Sequence, residues 1–136
     1  MIPEEYKESL KALEKAADAI DNARYNLKGE FYGVTANRTY YACYYCLIAL
    51  LYTQKVYSKT HQGAKAKFSE LFIKTGIFSV EISDSISLLF DYRQEADYDL
   101  DAEITREEAE LLISKASEIY SLCSAYLQKF LGDYTK

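Results

Sequence analysis

The sequence predicts an all-α protein, an up-and-down four-helix bundle with one short additional helix. Its 136 residues include one proline and five glycines, too few for the many turns of an all-β fold. Apolar residues make up 49% of the chain, and they recur every three or four residues, as they do along the buried face of a helix. A chain of this length forms one folding unit, so we expect a single helical domain over residues 1–136.

The first long helix is predicted over about Pro3 to Lys28. Proline suits the first turn of a helix, and Gly29 ends the pattern. Arg24 occupies the one position on the apolar stripe of this helix that is not apolar. The other members of the stripe are Tyr6, Leu10, Leu13, Ala17, Ile20 and Leu27.

The second helix is predicted to begin at 31 or 34 and to end at 56, with Asn37 and Arg38 at its polar start. Its stretch 40–52 is apolar on nearly every side, which is typical of a central helix or of one that faces a second subunit. We therefore expect a homodimer with this helix at its interface. The stretch is shorter than the about 20 apolar residues that span a bilayer, so no membrane contact is expected.

A loop at 57–63 precedes a short third helix, with Thr60 as its candidate N-cap and a stop near Gly76. Ser79 opens the fourth helix, and its apolar stripe again includes an arginine, Arg93. The other members of that stripe are Ile82, Ile86, Leu89 and Ala96.

The fifth helix is predicted to begin at a capping box, in which Thr105 and Glu108 each bond the other residue's backbone amide. It runs to about Phe130, and the tail at 132–136 is expected to fray.

The acidic connector at 97–103 has part of the pattern of a calcium-binding loop. Positions 1, 3, 5, 8 and 12 of an EF-hand are matched by Asp97, Asp99, Asp101, Ile104 and Glu108. Position 6 is Ala102, where the sharp turn needs glycine, and the capping box already uses Glu108. We therefore predict a solvated acidic turn that binds no calcium specifically, and no metal site.

The composition limits the compartment and the partners. A net charge of −5 opposes binding to a DNA duplex by bulk charge, although it is compatible with a small local basic site. Three cysteines make no disulfide framework, and Met1 to Tyr6 lacks the basic and apolar parts of a signal peptide. We expect a cytoplasmic protein that needs no cofactor.

The two cysteines of the second helix, Cys43 and Cys46, have the spacing of half a metal site or of a redox pair. Zinc would need two further ligands, and the only other cysteine and the only histidine are Cys123 and His61. We predict that these cysteines are small core residues. For His61, which follows the candidate N-cap of the third helix, a structural role is favoured over a catalytic one.

The arginines on the apolar stripes, Arg24 and Arg93, allow two interpretations. Arginine is rarely buried without a partner, because an unpaired buried charge costs several kcal/mol. Each arginine is therefore either one half of a buried ion pair or an anion-binding group that presents its fork of donors to a phosphate. The residue chemistry alone favours neither interpretation.

Three short strings together resemble the HEPN-domain family, in particular its small stand-alone prokaryotic branch. They are Asn37–Ala42 (NRTYYA) on the second helix, Lys59–Gly63 (KTHQG) in the loop, and Arg93–Tyr98 (RQEADY) at the end of the fourth helix. The resemblance covers roughly Tyr6 to Phe130. It implies a helical bundle that dimerises, and it relates the chain to toxins that cut RNA without a metal and to proteins that accompany a minimal nucleotidyltransferase.

The resemblance also implies roles for particular residues. The family's catalytic signature is an arginine followed by a histidine, brought together at a dimer cleft; Arg93 matches the arginine, but Tyr98 stands in the histidine position. Leu100 stands where HepT-type toxins carry a tyrosine that receives AMP. A tyrosine with a pKa near 10 is a poor base at pH 7, so the sequence leaves open whether this protein is an enzyme.

The sequence therefore supports one leading function and two alternatives. The leading function is binding of nucleotide or RNA at a dimer cleft, in partnership with a nucleotidyltransferase and through Arg93, Asp97, Tyr98, Asn37 and Arg38. The first alternative is a metal-independent ribonuclease toxin in which Arg93 holds phosphate and His61 or Tyr98 moves the proton. The second is a helical interaction module whose arginines are structural.

Overall fold

The computed structural model describes residues 1–134, and this part of the chain contains five α-helices and no β-strand. The helices are α1 (Glu4–Lys28), α2 (Tyr32–Thr53), α3 (His61–Phe68), α4 (Val80–Tyr98) and α5 (Arg106–Leu131). A π-helical segment, Ser69–Ile73, continues α3, and a 3-10 turn, Gly132–Tyr134, continues α5. The predicted bundle of four long helices and one short helix is confirmed.

Helix α2 lies at the centre of the bundle and packs against each of the other four helices. Its Leu47, Leu50 and Leu51 are almost completely buried. The absence of a polar face in the sequence of this helix therefore reflects its central place, as predicted. Within residues 1–134, no helix is both long and apolar enough to cross a membrane.

Side-chain caps fix the starts of two helices. The hydroxyl of Thr60 accepts a hydrogen bond from the amide of Gly63 at 2.9 Å, at the start of α3. At the start of α5, the hydroxyl of Thr105 accepts from the Glu108 amide at 3.1 Å, and the Glu108 carboxylate accepts from the Thr105 amide at 3.0 Å. Both predicted caps are confirmed, and the second is a complete capping box.

Helix α4 continues through Asp97 and Tyr98, as the string Arg93–Tyr98 at the end of the fourth helix implies, so the connector that the sequence placed at 97–103 begins only after Tyr98. Asp97 lies one helical turn after Arg93, and the two side chains form an ion pair. Such a pair supports the last turn of a helix. The last turn therefore places Asp97 and Tyr98 in fixed positions beside Arg93.

The predicted stripe of α1 is partly wrong. The buried side chains are Tyr6, Ser9, Ala12, Leu13, Ala16, Ala19, Ile20 and Ala23. Serine and alanine make up most of this set, so the inner face of α1 consists mainly of small side chains and lies close to the neighbouring helices. Consequently Leu10 lies at the edge of the core, and Arg24 is exposed on the surface.

The expected fraying of the tail is wrong as far as Tyr134. The N-terminal amine of Met1 donates a hydrogen bond to the carbonyl of Tyr134 at 2.8 Å. The ring of Tyr134 also contacts the ring of Tyr6, with centroids 5.6 Å apart. These contacts join the two ends of the described chain, while 135–136 lie outside the described residues.

Candidate functional site

Three segments of the chain meet beside the start of α2. They are the first turns of α2, the first residue of α3 and the last two turns of α4. Because α2 is central, both α3 and α4 pack against it there. We name the side chains that meet at this place the arginine cluster: Asn37, Arg38, Tyr40, His61, Arg93, Asp97 and Tyr98.

Tyr40 lies at the middle of the arginine cluster and is only 2% exposed. Its ring packs edge to face against Phe90, with centroids 4.8 Å apart. Its hydroxyl is hydrogen-bonded to Nδ1 of His61. One face of the ring carries the guanidinium of Arg93, 4.8 Å from the ring centroid. Tyr40 therefore connects the histidine of α3 to the arginine of α4.

The guanidinium of Arg93 has aromatic neighbours and one acidic neighbour. Besides Tyr40, it lies 5.4 Å from the centroid of the Tyr98 ring, which gives it two cation–π contacts. Its Nε is 2.9 Å from Oδ2 of Asp97. That short distance is an ion pair without a directed hydrogen bond, since the buried Nε has no hydrogen-bond partner of acceptable geometry.

A chain of polar contacts links the two arginines of the cluster. Arg38 donates to Oδ1 of Asn37 from Nε at 3.0 Å and from Nη2 at 2.6 Å. Asn37 in turn donates from Nδ2 to Oδ2 of Asp97 at 3.2 Å. Within residues 1–134, Asp97 pairs with Arg93 alone, and Arg38 bonds the neutral amide of Asn37 and forms no ion pair. The cluster therefore keeps an excess of positive charge in a protein whose net charge is −5.

Burial decides the protonation states in the cluster. Burial, together with the positive charge of Arg93, lowers the pKa of His61 below its ordinary value. Burial raises the pKa of Tyr40 to about 12, although Arg93 acts in the opposite direction. At neutral pH the imidazole is therefore neutral and the phenol is protonated. The bond between the Tyr40 hydroxyl and Nδ1 fits two tautomers of His61. If the hydroxyl donates, the other ring nitrogen carries the proton; if Nδ1 donates, the other ring nitrogen is an acceptor.

The surroundings of His61 are aromatic. Its ring centroid lies 4.1 Å from that of Tyr44 and 5.7 Å from that of Tyr41. The guanidinium of Arg38 lies 5.0 Å from the Tyr41 centroid. Flat aromatic and guanidinium groups of this kind are the groups on which proteins stack unpaired bases.

The structure brings together all five predicted ligand-binding residues, and it adds His61 to them. Sequence reasoning left out Tyr40, Tyr41 and Tyr44 as site residues. A signal was present, because positions 37, 40, 41 and 44 repeat every three or four residues and therefore share one face of a helix. Arg24, by contrast, lies on α1 outside the cluster, and its suggested place on a buried stripe is wrong.

The cysteines lie in the core, as predicted. Cys43, Cys46 and Cys123 are all buried free thiols. Burial raises the pKa of Cys43, and a hydrogen bond to Cys123, followed by burial, raises the pKa of Cys46. Cys43 and Cys46 are therefore protonated thiols at neutral pH, whereas metal binding and redox exchange need thiolates.

Two carboxylates of the EF-hand-like pattern, Asp97 and Glu108, have partners within the protein. Asp97 forms the ion pair with Arg93. Glu108 accepts the bond of the capping box and a second one from the Tyr92 hydroxyl at 2.5 Å. Within residues 1–134, no group of three or more histidine, cysteine or acidic side chains is placed to hold a metal ion.

The fold and the cluster define a class, that of small helical bundles with an arginine-based site where helices converge on a central helix. Comparison with known proteins identifies the family. The model of the HEPN domain matches residues 9–126, and the chain belongs to the HEPN-domain family.

Similar proteins occur in archaea and bacteria. "Putative toxin MJ0142" of Methanocaldococcus jannaschii is 38% identical over 90% of this chain and 84% of its own length. A "UPF0332 protein" of Thermotoga maritima is 32% identical over 75% of this chain and 77% of its own length. "Putative toxin MJ0605" of M. jannaschii is 27% identical over 96% of this chain and 98% of its own length.

Proposed function

We propose that this HEPN-domain protein binds a phosphate-bearing ligand, a nucleotide or an RNA, at the arginine cluster. The observation that carries the proposal is the state of Arg93. Its side chain is 21% exposed, and its guanidinium is held on the faces of two tyrosine rings. A guanidinium fixed in this way is preorganised to present its remaining donors to phosphate oxygens.

The charge balance supports a ligand-binding role over a purely structural one. Among residues 1–134, Asp97 is the carboxylate paired with Arg93, while Arg38 bonds the neutral Asn37 amide and forms no ion pair, so the cluster has positive charge to spare for an anion. A structural arginine would be expected to direct its N–H groups at its carboxylate. Here the buried Nε of Arg93 lacks such a bond.

The aromatic side chains support a nucleotide or RNA over a simple anion. The ring of Tyr98 is 66% exposed while it remains beside the Arg93 guanidinium. A phosphate on Arg93 would therefore lie next to a free aromatic face on which a base can stack. Asn37 and Arg38 border the same site.

One observation favours the alternative function, a metal-independent ribonuclease. The neutral imidazole of His61 reaches the cluster from α3, next to the tyrosine that also carries Arg93. A neutral histidine can accept a proton from a ribose hydroxyl while an arginine holds the phosphate. This role requires Nδ1 of His61 to carry the proton and donate it to the Tyr40 oxygen, which leaves the other nitrogen free to act as the base.

We propose that the protein forms a homodimer with α2 at its interface, so that the interface lies close to the arginine cluster. Several apolar side chains of α2 stay half-buried in the single chain: Tyr41, Tyr44, Tyr45, Ile48 and Tyr52. Tyrosine is enriched at protein interfaces, so a second copy is a suitable cover for this face. Light scattering at micromolar concentration should give twice the mass of 15.6 kDa, and a monomeric mass would remove the dimer from the proposal.

We further propose a cytoplasmic toxin–antitoxin-like system in which a minimal nucleotidyltransferase is the partner protein. Two of the similar proteins bear names that call them toxins, and the three buried free thiols suit a reducing compartment. Co-expression with a nucleotidyltransferase encoded beside the gene should yield a complex that copurifies. If the protein purifies alone although both proteins are present, the partnership is wrong.

The binding proposal is tested with a fluorescein-labelled single-stranded RNA and fluorescence anisotropy. The unmodified protein should bind, AMP should compete, and Arg93→Met should weaken binding at least about 100-fold. Arg24→Met is the matched control, because it removes an arginine outside the cluster, and it should change the affinity less than twofold. The proposal fails if the unmodified protein binds neither probe, or if Arg93→Met binds as well as Arg24→Met.

The same RNA distinguishes the two functions when it is incubated with the protein in excess EDTA. Cleavage that His61→Asn abolishes while RNA affinity stays within a few fold would establish the ribonuclease. Binding without cleavage would leave the protein as a binding partner. Cleavage that His61→Asn does not change would exclude His61 as the proton-transfer group.

A further inference from the structure

A second surface of the molecule has the form of a binding site, and it lies on different helices from the arginine cluster. A groove of about 790 Å³ runs between α1 and the C-terminal half of α5. Its apolar lining consists of Ile2, Leu10, Leu13, Ala17, Tyr120, Leu127 and Leu131. A smaller depression of about 260 Å³ shares Ala17 and Tyr120 with it and extends it to Arg24 and Ser117.

The groove follows from the way α1 packs. Helix α1 packs far more closely on α2 than on α5, because the alanines on its inner face permit a close approach to its neighbour. The larger side chain of Leu10 is left at the edge and is 38% exposed. An apolar strip therefore stays open along the seam between the first and last long helices.

The two walls of the groove differ in charge. Glu14 and Asp18 line the α1 side, whereas Ser124 and Gln128 line the α5 side. Among the residues that the structure describes, 1–134, no lysine or arginine lines the main groove. Within residues 1–134, neither Glu14 nor Asp18 has a basic side chain within ion-pair distance. The groove thus has an apolar floor, one acidic wall and one neutral wall.

We propose that this groove is a docking surface for a basic amphipathic helix of a partner protein. Such a helix would place leucine-like side chains on the apolar floor and lysines or arginines against Glu14 and Asp18, which is the helix-in-groove mode of recognition. Tyr120 and Leu131, at the two ends of the main groove on α5, are eleven positions apart. At 1.5 Å per residue, this distance accommodates a helix of about three turns.

The charge of the groove disfavours a second copy of this chain as its occupant. A two-fold interface would place the same surface on both sides. Depending on the direction of the two-fold axis, the acidic wall would then face either its own copy or the neutral wall, and within residues 1–134 the main groove offers no basic side chain to meet it. Like charges across an interface cost free energy, so a partner of opposite charge is the better match.

The probe for this proposal is a fluorescein-labelled synthetic helix of 16 residues, with leucines every three or four positions and lysines elsewhere. We expect it to bind the full chain with a Kd in the micromolar range. The reversal Glu14→Lys with Asp18→Lys, and separately Leu10→Glu, should each weaken binding at least about tenfold. The control reversal Asp84→Lys with Asp91→Lys, on α4, makes the same change in net charge and should alter binding no more than twofold.

A second peptide of identical composition, with its leucines scrambled so that they share no face, should bind at least about tenfold more weakly. The proposal is overturned if the patterned peptide does not bind below 1 mM, if the scrambled peptide binds equally well, or if the control reversal weakens binding as much as the groove reversal. Thermal melts establish that each variant is folded. A dimer that Leu10→Glu converts to a monomer would also overturn it, because the occupant would then be a second copy.

Discussion

Two arginines that look equivalent in the sequence have different surroundings in the fold. Arg24 and Arg93 each occupy the polar position of an apolar helical stripe. Arg24 is 54% exposed, with Asp21 at 3.5 Å on its own helix and the Ser117 hydroxyl at 3.3 Å. Arg93 is half-buried on the rings of Tyr40 and Tyr98. The difference teaches that helical spacing selects a face, whereas the neighbouring helices decide whether that face is buried.

The surroundings of Arg93 and Arg24 should differ most in the stability that is lost when a neighbouring tyrosine is removed. Tyr40→Ala removes a buried ring that packs against Phe90, Arg93 and His61, and it should lower the free energy of unfolding by about 3–5 kcal/mol. Tyr25→Ala, beside Arg24 and exposed on α1, should change it by less than about 0.5 kcal/mol. Urea denaturation followed by circular dichroism measures both. Equal effects would show that the cluster is not a packed unit.

Replacing the arginines themselves should again lower the free energy of unfolding more at Arg93 than at Arg24, but by a smaller amount. Arg93→Met loses two cation–π contacts and the ion pair with Asp97, and it should cost about 1–2 kcal/mol. Arg24→Met loses only exposed contacts and should stay within about 0.5 kcal/mol. The same denaturation assay applies. A loss of more than about 3 kcal/mol in Arg93→Met would indicate that the arginine is chiefly a structural ion-pair partner.

Removing the cap of α5 tests whether the start of that helix contributes to stability without contributing to RNA binding at the arginine cluster. Thr105→Ala removes the acceptor for the Glu108 amide and should cost about 1 kcal/mol, while RNA affinity stays within twofold. Thr60→Ala is the comparison, because the cap that it removes starts the helix carrying His61. It should cost a similar amount and also weaken RNA binding several fold. If Thr60→Ala and Thr105→Ala changed RNA affinity equally, His61 would not be part of the RNA-binding site.

Calcium should have the smallest effect of all. Asp97 is paired with Arg93, and Glu108 is bonded to Thr105 and Tyr92, so neither is free to complete an EF-hand-like loop. Addition of millimolar calcium should leave the melting temperature unchanged within about 1 °C, since a ligand that does not bind the folded state cannot stabilise it. A dissociation constant tighter than about 1 mM by calorimetry would contradict this prediction.

The fold could be predicted from the sequence because helix length, caps and spacing are local properties. The start of α3 is marked by Thr60, and the start of α5 is marked by Thr105 and Glu108. Each signal lies within four residues of the helix start that it marks. The stripe of α1 could not be placed as well, because Leu10 and Leu13 look alike and only the close approach to α2 separates them. The start of the connector after α4 could not be fixed from charge pattern alone for a similar reason, since the side chains that support the last turn of α4 include Asn37 of another helix.

The site could be predicted only in part. Helical spacing singled out Arg93. The resemblance to a family added Asp97 and Tyr98, which are near it in sequence, and the pair Asn37 and Arg38 of the second helix. The place of His61 beside Tyr40 depends on a contact across twenty-one positions of the chain, which no spacing rule covers. Nor does a sequence give the burial that makes the histidine neutral and keeps the phenol protonated.

The most direct test of a phosphate-bearing ligand at the arginine cluster is the titration of His61 by NMR, with and without saturating AMP. His61 is the only histidine in the chain, so its imidazole signals are unambiguous. In the free protein its pKa should lie below the ordinary value, because of burial and Arg93. A bound phosphate stabilises the charged imidazolium, so AMP should raise that pKa, and Arg93→Met, unlike Arg24→Met, should abolish the rise. The same His61 pKa with and without AMP would contradict a phosphate site at the cluster.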